Sequence, residues 1–368
     1  MSLAPADSAL AGRLAERQLR RIAVIQTAFL GDTVFSSALV AGLAARFPNV
    51  GITLVVTPRG RDVARSMPHV DDVLVYDKRR ADRGIPGFLR LAKELRARSA
   101  GLAVLPHRSL RSALLAWRAG ISERLGFLQA SGSLFYTAKV HDPGGAFLIR
   151  EGALLSVLGA APGPMRLSTQ EPDRAAAKER LRKLREGVVG TPTTSRLIGL
   201  ALGSEWETKI WPVAKTAELA RRLANRGFTP VLLGGPREKA IAAEILRACP
   251  RALDTTGNPI GEALAILEQT ALCVGGDSGL AHAARALSVP SLLLFGPTDP
   301  ALHQLGSRAR ALSLHLDCSP CGPHGAHRCP LGHHRCLRDL SVEHVEEAAL
   351  ALLGDVSPAR TPLDDGVR

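Results

Sequence analysis

The sequence predicts an α/β protein built from two doubly wound, Rossmann-like domains. Three observations carry this expectation. Strand and helix signals alternate along the chain, the pattern of a parallel sheet covered on both faces. The alternation is broken once by the Pro- and Gly-rich stretch GAAPGPMRLSTQEPD (Gly159–Asp173) and then restarts. The length of 368 residues, 46% of them apolar, suits two α/β cores better than one. The expected domains are residues 1–165 and 174–355.

The elements follow in order. MSLAPADSALAGRLAERQLRR reads as a short amphipathic helix; its Asp7 and Glu16 and lack of an apolar core argue against a secretion signal. RIAVIQ (Arg21–Gln26) is a buried strand, followed by the loop TAFLGD and a helix to about Phe47. GITLVVT (Gly51–Thr57) and VDDVLVYD (Val70–Asp77) are the next strands, a helix covers about Ile85–Arg98, and GLAVLP (Gly101–Pro106) is the fourth strand. ERLGF (Glu123–Phe127) is expected as the fifth after a further helix. Past the linker, a helix near Ala175–Glu186 precedes the strand LIGLALG (Leu197–Gly203). A helix at about Ala214–Arg226, the strand TPVLLGG (Thr229–Gly235) and helices near Glu238–Ala248 and from Ile260 come next. ALCVGGD (Ala271–Asp277), a helix at Gly279–Leu287 and PSLLLFG (Pro290–Gly296) complete the pattern. The last helix, about Val342–Leu353, is expected to fold back across the first domain.

Composition narrows the function. Aromatic residues are 4% of the chain, too few for a platform that stacks single-stranded nucleic acid, and no zinc-finger, homeodomain or RNP-like pattern is present. No stretch reaches the roughly 18–20 apolar residues of a membrane span, so a cytoplasmic protein that does not bind nucleic acid is expected. The net charge of +13 has two readings: arginine-rich surface helices, or a field that attracts anionic glycans and membrane surfaces.

Ligands in doubly wound sheets bind beyond the carboxyl ends of the strands. Three such loops stand out. In TAFLGDTVFSS (Thr27–Ser37), Asp32 is either a helix cap or a carboxylate offered to a ligand. A helix N-terminus favours its ionised form, which suits a base that acts once a hydroxyl is held against it. LGSEWETKIWP (Leu202–Pro212) enters a helix near Trp211–Pro212, leaving Ser204 and Lys209 beside the ligand; Lys209 is a cation suited to a diphosphate or a solvated surface lysine. In CVGGDSGLAHAARALSVPSLLLFGPTDP (Cys273–Pro300), a strand, a GGDSG turn and a helix make an anion-binding N-terminus. There Ser278 and Gly279 offer backbone N–H groups, His282 lies one turn on, and Asp277 caps the helix or accepts sugar hydroxyls. Thr298 and Asp299 lie on the next strand-end loop.

These motifs, with LPHRSLRSALLAWRAGISERLGF between them, resemble glycosyltransferase family 9, the ADP-heptose:lipopolysaccharide heptosyltransferases, from about Arg21 to Leu353. The resemblance implies the two-domain GT-B fold with a central cleft and an inverting, metal-independent transfer of heptose. The donor is ADP-L-glycero-D-manno-heptose and the acceptor is the Kdo/heptose–lipid A inner core of lipopolysaccharide. It implies that Asp32 is the catalytic base, that Ser204, Lys209, Asp277, Ser278, Gly279 and His282 hold the donor, and that the chain works at the inner face of the inner membrane as a peripheral protein. Arg59 and Arg61 after the second strand, and His107, Arg108 and Arg111 after the fourth, are candidates for an anionic acceptor. Another nucleotide sugar is an alternative donor, and a non-catalytic basic protein for glycolipid or nucleic acid is an alternative of another class.

Four cysteines crowd into CSPCGPHGAHRCPLGHHRC. Cys318, Cys321, Cys329 and Cys336 have the spacing C-x2-C-x7-C-x6-C with His324, His327, His333 and His334 interleaved. A structural zinc, reduced thiols packing a loop, and disulfides are the three readings. The loop also resembles segments of heptosyltransferase II-like sequences, which implies no catalytic metal.

Overall fold

The computed structural model describes residues 10, 12–14, 19–188, 194–322 and 324–355. Two compact units divide the chain. The first holds the residues up to Ala177 with Pro259–Ala265 and Ala301–Gln304; the second holds Lys178–Asn258, Ile266–Pro300 and the residues from Leu305. The expected N-terminal helix lies for the most part outside the described residues. Among the described residues no helix is long and apolar enough to cross a membrane.

In the first unit, β1 (Arg21–Gln26) leads into α1 (Leu30–Arg46), β2 (Gly51–Val56) into α2 (Arg61–Arg65), and β3 (Asp72–Val75) into α3 (Gly84–Ala97). β4 (Leu102–Leu105), α4 (Leu110–Arg118), β5 (Glu123–Phe127), β6 (Ala138–Val140) and α5 (Phe147–Val157) follow, then α6 (Glu171–Glu186). The sheet order is β3-β2-β1-β4-β5-β6 and its pairs are parallel, with Ile22 opposite both Ile52 and Leu102. A strand between two parallel neighbours, with helices on both faces, has no wet side, so β1 reads as an unbroken apolar run. Ile22, Ala23, Val24 and Ile25 are accordingly fully buried. Glycine lets α5 approach α1: a Cβ on Gly42 would meet the Ala161 carbonyl oxygen at 2.3 Å and Leu155 at 2.8 Å.

The second unit repeats the scheme with β7 (Leu197–Ala201), α7 (Val213–Asn225), β8 (Thr229–Leu233), α8 (Lys239–Ala248), β9 (Leu253–Asp254), α9 (Ile260–Glu268, of which the residues to Ala265 count with the first unit), β10 (Leu272–Gly276), α10 (Gly279–Ala286), β11 (Ser291–Leu294) and β12 (Ala309–Leu312). Its order, β12-β11-β10-β7-β8-β9, is the first sheet's order read from the other edge. Both are the 3-2-1-4-5-6 arrangement, in which the switch of winding lies between the first and fourth strands of each set.

Four differences from expectation have physical causes. α6 starts at Glu171, inside the expected linker, because Glu171 and Asp173 favour its N-terminus and Lys183 and Arg185 its C-terminus. β6, β9 and β12 are strands of two to four residues at or next to sheet edges, too short for a periodic signal. α5 was hidden by its composition: FLIREGALLSV is apolar nearly all round apart from Arg150 and Glu151. The last helix, α11 (Val342–Asp355), does not follow the expected path across the first domain: it packs on the second sheet, where Val345, Ala349 and Leu352 join the core of Leu219, Leu223, Leu272 and Leu292.

Candidate active site

In the first unit the residues of interest ring the switch point between β1 and β4. Asp32 is the third residue of α1 and half-exposed. Its Oδ2 accepts the N–H of Phe29, the residue capping the helix, at 3.0 Å. Asp32 is thus not the N-cap itself: from the third helical position its carboxylate ties down the helix entry and still meets solvent.

One helical turn below, Ser36 Oγ lies 3.0 Å from Glu151 Oε1 on α5, 3.1 Å from the Asp32 carbonyl oxygen and 3.1 Å from Gln26 Nε2. Glu151 is 4% exposed, and its Oε2 has no partner. Burial, against the Ser36 hydrogen bond and with the nearby Asp32 charge, pushes its carboxyl up to about 8. Glu151 therefore stays protonated at neutral pH while Asp32 keeps the exposed position. Sequence reading passed over it, although a lone acid inside an apolar helix was the available signal.

The basic candidates are placed unevenly. His107 follows β4 but is not the cation expected: burial first, then Lys78, Arg150 and Arg108, lower its pKa below the usual histidine value, and its Nδ1 is buried without a partner. It is a neutral imidazole near pH 7. Arg108 lies 3.6 Å from Asp142, which Arg150 already holds with two hydrogen bonds of 3.0 Å. Arg111 faces the buried Tyr76 hydroxyl. Lys78, which the sequence did not single out, donates to the Thr27 carbonyl oxygen at 3.2 Å, and burial with Arg111 and Arg79 lowers its pKa. A lysine after a strand looks like any surface lysine until the fold brings it to the β1 loop. Arg59 and Arg61 are exposed on the turn and helix after β2, where Gly60 packs against Thr33.

In the second unit the equivalent loops meet in a buried polar cluster. Asp277, 5% exposed, ends the β10 segment and is its hub. Its Oδ2 accepts from Lys209 Nζ at 2.6 Å and from Thr298 Oγ1 at 2.8 Å; its Oδ1 lies 2.7 Å from His282 Nε2. Arg285 Nη1 lies 3.1 Å from His282 Nδ1. A guanidinium only donates, so Nδ1 is bare and Nε2 carries the proton to Asp277. Burial lowers the Arg285 pKa to about 10, with Asp277 acting against it. Lys209 is therefore no solvated lysine: it is 9% exposed and paired. Ser278 caps α10, its Oγ accepting the Ala281 N–H at 3.4 Å, which leaves the first N–H groups of that helix for an anion. Ser204 lies upstream, its Oγ accepting the Trp206 N–H at 3.4 Å. A pocket between β7 and β10 is lined by Leu202, Gly203, Lys209, Trp211, Gly275 and Gly276.

The cysteine-rich segment braces these loops. Thr208 Oγ1 and the Ala326 backbone exchange hydrogen bonds of 2.7 and 2.8 Å, and His334 Nε2 lies 2.8 Å from the Thr208 carbonyl oxygen. The Cys321 N–H donates to the Pro297 carbonyl at 2.9 Å, and Ser319 Oγ donates to that of Gly296. Cys318, Cys321, Cys329 and Cys336, the candidates for a structural zinc, are near neighbours in this segment. Among the described residues no three Cys or His ligand atoms of the segment lie within 4.8 Å of one another. All four cysteines are free, and Cys336 is buried against Gly296, which pushes its thiol up to about 11. The packing role is what joins this segment to the site, and the hydrogen bonds to Thr208 that reveal it span more than 100 residues.

The sequence profile described as glycosyltransferase family 9 (heptosyltransferase) matches residues 88–328. The lipopolysaccharide heptosyltransferase 2 of Salmonella typhimurium is 28% identical over 354 residues, covering 91% of this chain and 99% of that protein. Among solved structures, a glycosyltransferase family 9 protein from Veillonella parvula superposes with a TM-score of 0.80 at 23% identity, over 92% of this chain and 98% of that one. The ADP-heptose lipopolysaccharide heptosyltransferase II of E. coli gives a TM-score of 0.74 at 24% identity, over 91% and 99%. The fold is GT-B. With about two thirds of its length matched by that profile, the chain belongs to glycosyltransferase family 9, the heptosyltransferase family.

Proposed function

We propose that this glycosyltransferase moves heptose from ADP-L-glycero-D-manno-heptose to the Kdo/heptose–lipid A inner core of lipopolysaccharide, at the inner face of the inner membrane. The observation that carries the reading is the buried Lys209–Asp277–His282–Thr298 cluster beside the start of α10. It is a pre-set cationic and N–H-rich site next to a carboxylate that can accept sugar hydroxyls. Ser204, Lys209, Ser278 and Gly279 are assigned to the diphosphate and its sugar, and Asp277 and His282 to the hydroxyls and the shape of the pocket.

The reaction is a direct displacement. The acceptor hydroxyl oxygen bonds to the anomeric carbon as the bond from that carbon to the phosphate oxygen breaks, and ADP leaves with the electron pair. The hydroxyl proton passes to Asp32, whose ionised form the start of α1 favours. Lys209 and the α10 N–H groups take up the charge that grows on the departing phosphate. Inversion follows from one displacement, and no metal is needed. Arg59, Arg61, Arg108 and Arg111 are assigned to the acceptor's anionic groups, with His107 as a neutral hydrogen-bonding partner.

The test is a transfer assay on heptose-deficient lipid acceptor with ADP-heptose, UDP-sugar and GDP-sugar donors, read by mass spectrometry and by NMR of the new linkage. One heptose added from ADP-heptose alone, with inverted anomeric configuration and in the presence of EDTA, is expected. Transfer only from another donor, or retained configuration, contradicts the assignment.

A further inference from the structure

From the surface of the first unit we infer that the outer side of α3, α4 and the turn Ser133–Phe135 docks on an anionic lipid bilayer. These three pieces pack on one face of the first sheet through one core cluster, in which Leu91 and Leu95 of α3, Leu115 of α4, and Phe135 and Tyr136 take part. Their opposite sides are unusually apolar. Ile85 is 73% exposed, Leu89 40%, Leu110 44%, Trp117 52% and Leu134 88%. Seven of the eight large apolar side chains exposed among the described residues belong to the first unit, and five of those seven lie on this layer, so scattered exposure does not account for them.

Spacing makes the side chains act together. Ile85 and Leu89 are four residues apart on α3, and Leu110 and Trp117 are seven apart on α4, so each pair lies on one helical face. The Trp117 and Phe135 rings are 5.6 Å apart, which brings Leu134 beside α4.

Charge identifies the occupant. Residues 107–122 and 128–141 carry Arg108, Arg111, Arg118 and Lys139 and not one Asp or Glu. α3 adds Arg90, Lys93 and Arg96 against one acid, Glu94, which like Asp82 is paired with Arg90. Exposed leucine, isoleucine and tryptophan amid an excess of arginine and lysine is the composition of surfaces that settle into the headgroup layer of an anionic membrane. A water-soluble acidic partner would use the cations and leave the apolar side chains unexplained. The inference deepens the proposed function, since Arg111 adjoins Leu110 and would meet anionic groups held at that surface, but its test needs neither donor nor acceptor.

The experiment is co-sedimentation of the full chain with phosphatidylglycerol-containing and pure phosphatidylcholine vesicles at several salt concentrations. Leu134→Ser and Trp117→Ser are compared with wild type, together with Arg118→Glu/Lys139→Glu. Wild type is expected to bind the anionic vesicles, each apolar substitution to weaken binding by about five- to tenfold, and the charge reversal to weaken it at least as much. Leu134 is so exposed that its substitution should leave the thermal unfolding midpoint unchanged, which separates lost docking from lost folding. Vesicle binding equal in wild type and Leu134→Ser overturns the inference. So does a wild-type dimer that Leu134→Ser converts to monomer without vesicle binding, because a second copy would then be the occupant.

Discussion

The two sheets share one strand order, yet the loops at their switch points handle charge in opposite ways. In the second unit the acid after β10 and the lysine after β7 are locked together under cover, with Thr298 and His282 also on the carboxylate. In the first unit the acid after β1 holds its own helix start, while Lys78, His107 and Arg111 gather around the β1 and β4 loops, and among the described residues no acid forms an ion pair with Lys78 or Arg111. The same scaffold thus yields one closed site, whose lysine and aspartate are paired under cover, and one site with spare positive charge. A closed site suits a ligand of fixed chemistry such as a nucleoside diphosphate; spare charge suits an anionic partner that arrives from outside.

Breaking the closed site should cost most. Lys209→Met leaves the Asp277 carboxylate buried without its cation, and a loss of about 3–5 kcal/mol is expected in guanidinium unfolding monitored on the second unit. Adding Asp277→Asn should recover most of that loss. Lys78→Met in the first unit, where the lysine meets only a carbonyl, should cost about 1 kcal/mol or less. Equal losses for the two lysines would dissolve the contrast.

The next effect is a pH dependence confined to the first unit. Glu151 titrates near 8 when folded against 4.5 when exposed. Below about pH 4.5 both states hold the proton. Between there and about pH 8 only the unfolded chain releases it, so stability falls as pH rises, and the loss is complete above the folded value. The groups bearing on it are Asp32 and Ser36 on α1, the Leu39 backbone and neighbouring Arg150. Glu151→Gln should remove this slope, about 4 kcal/mol between pH 5 and pH 8.5. Unfolding at pH 5 and pH 8.5 measures it; an unchanged slope would mean that Glu151 is ionised in place.

Smaller effects refine the comparison. Ser278→Ala removes the cap of α10 and should lower stability by about 1 kcal/mol, with a matching weakening of ADP binding by calorimetry. His107→Gln should leave the pH profile of transfer between pH 7 and 8 unaltered, because burial and the nearby cations keep His107 neutral there; loss of a titration in that range would return it to the cations.

Much of this was legible in the sequence, for identifiable reasons. Buried parallel strands print themselves as apolar runs, so β1, β2, β4, β7, β8, β10 and β11 could be read directly. Asp32, Lys209 and Asp277 stood out because each follows such a run. What the sequence withheld depends on partners far along the chain. Lys209 looks like a surface lysine until Asp277, 68 residues on, takes its ammonium. Cys318 to Cys336 read as a metal-binding run, and only the hydrogen bonds to Thr208, Gly296 and Pro297 show that the segment also acts as a brace. Glu151 shows its protonated state only through burial.

The most direct test of the division of labour is Asp32→Asn, measured for both heptose transfer and ADP affinity. The substitution keeps an acceptor for the Phe29 N–H but cannot take a proton. Transfer should fall by about 10²–10⁴-fold with the ADP dissociation constant unchanged. Transfer at the wild-type rate, or a parallel loss of ADP binding, would contradict the assignment of the base to the first unit and the donor to the second.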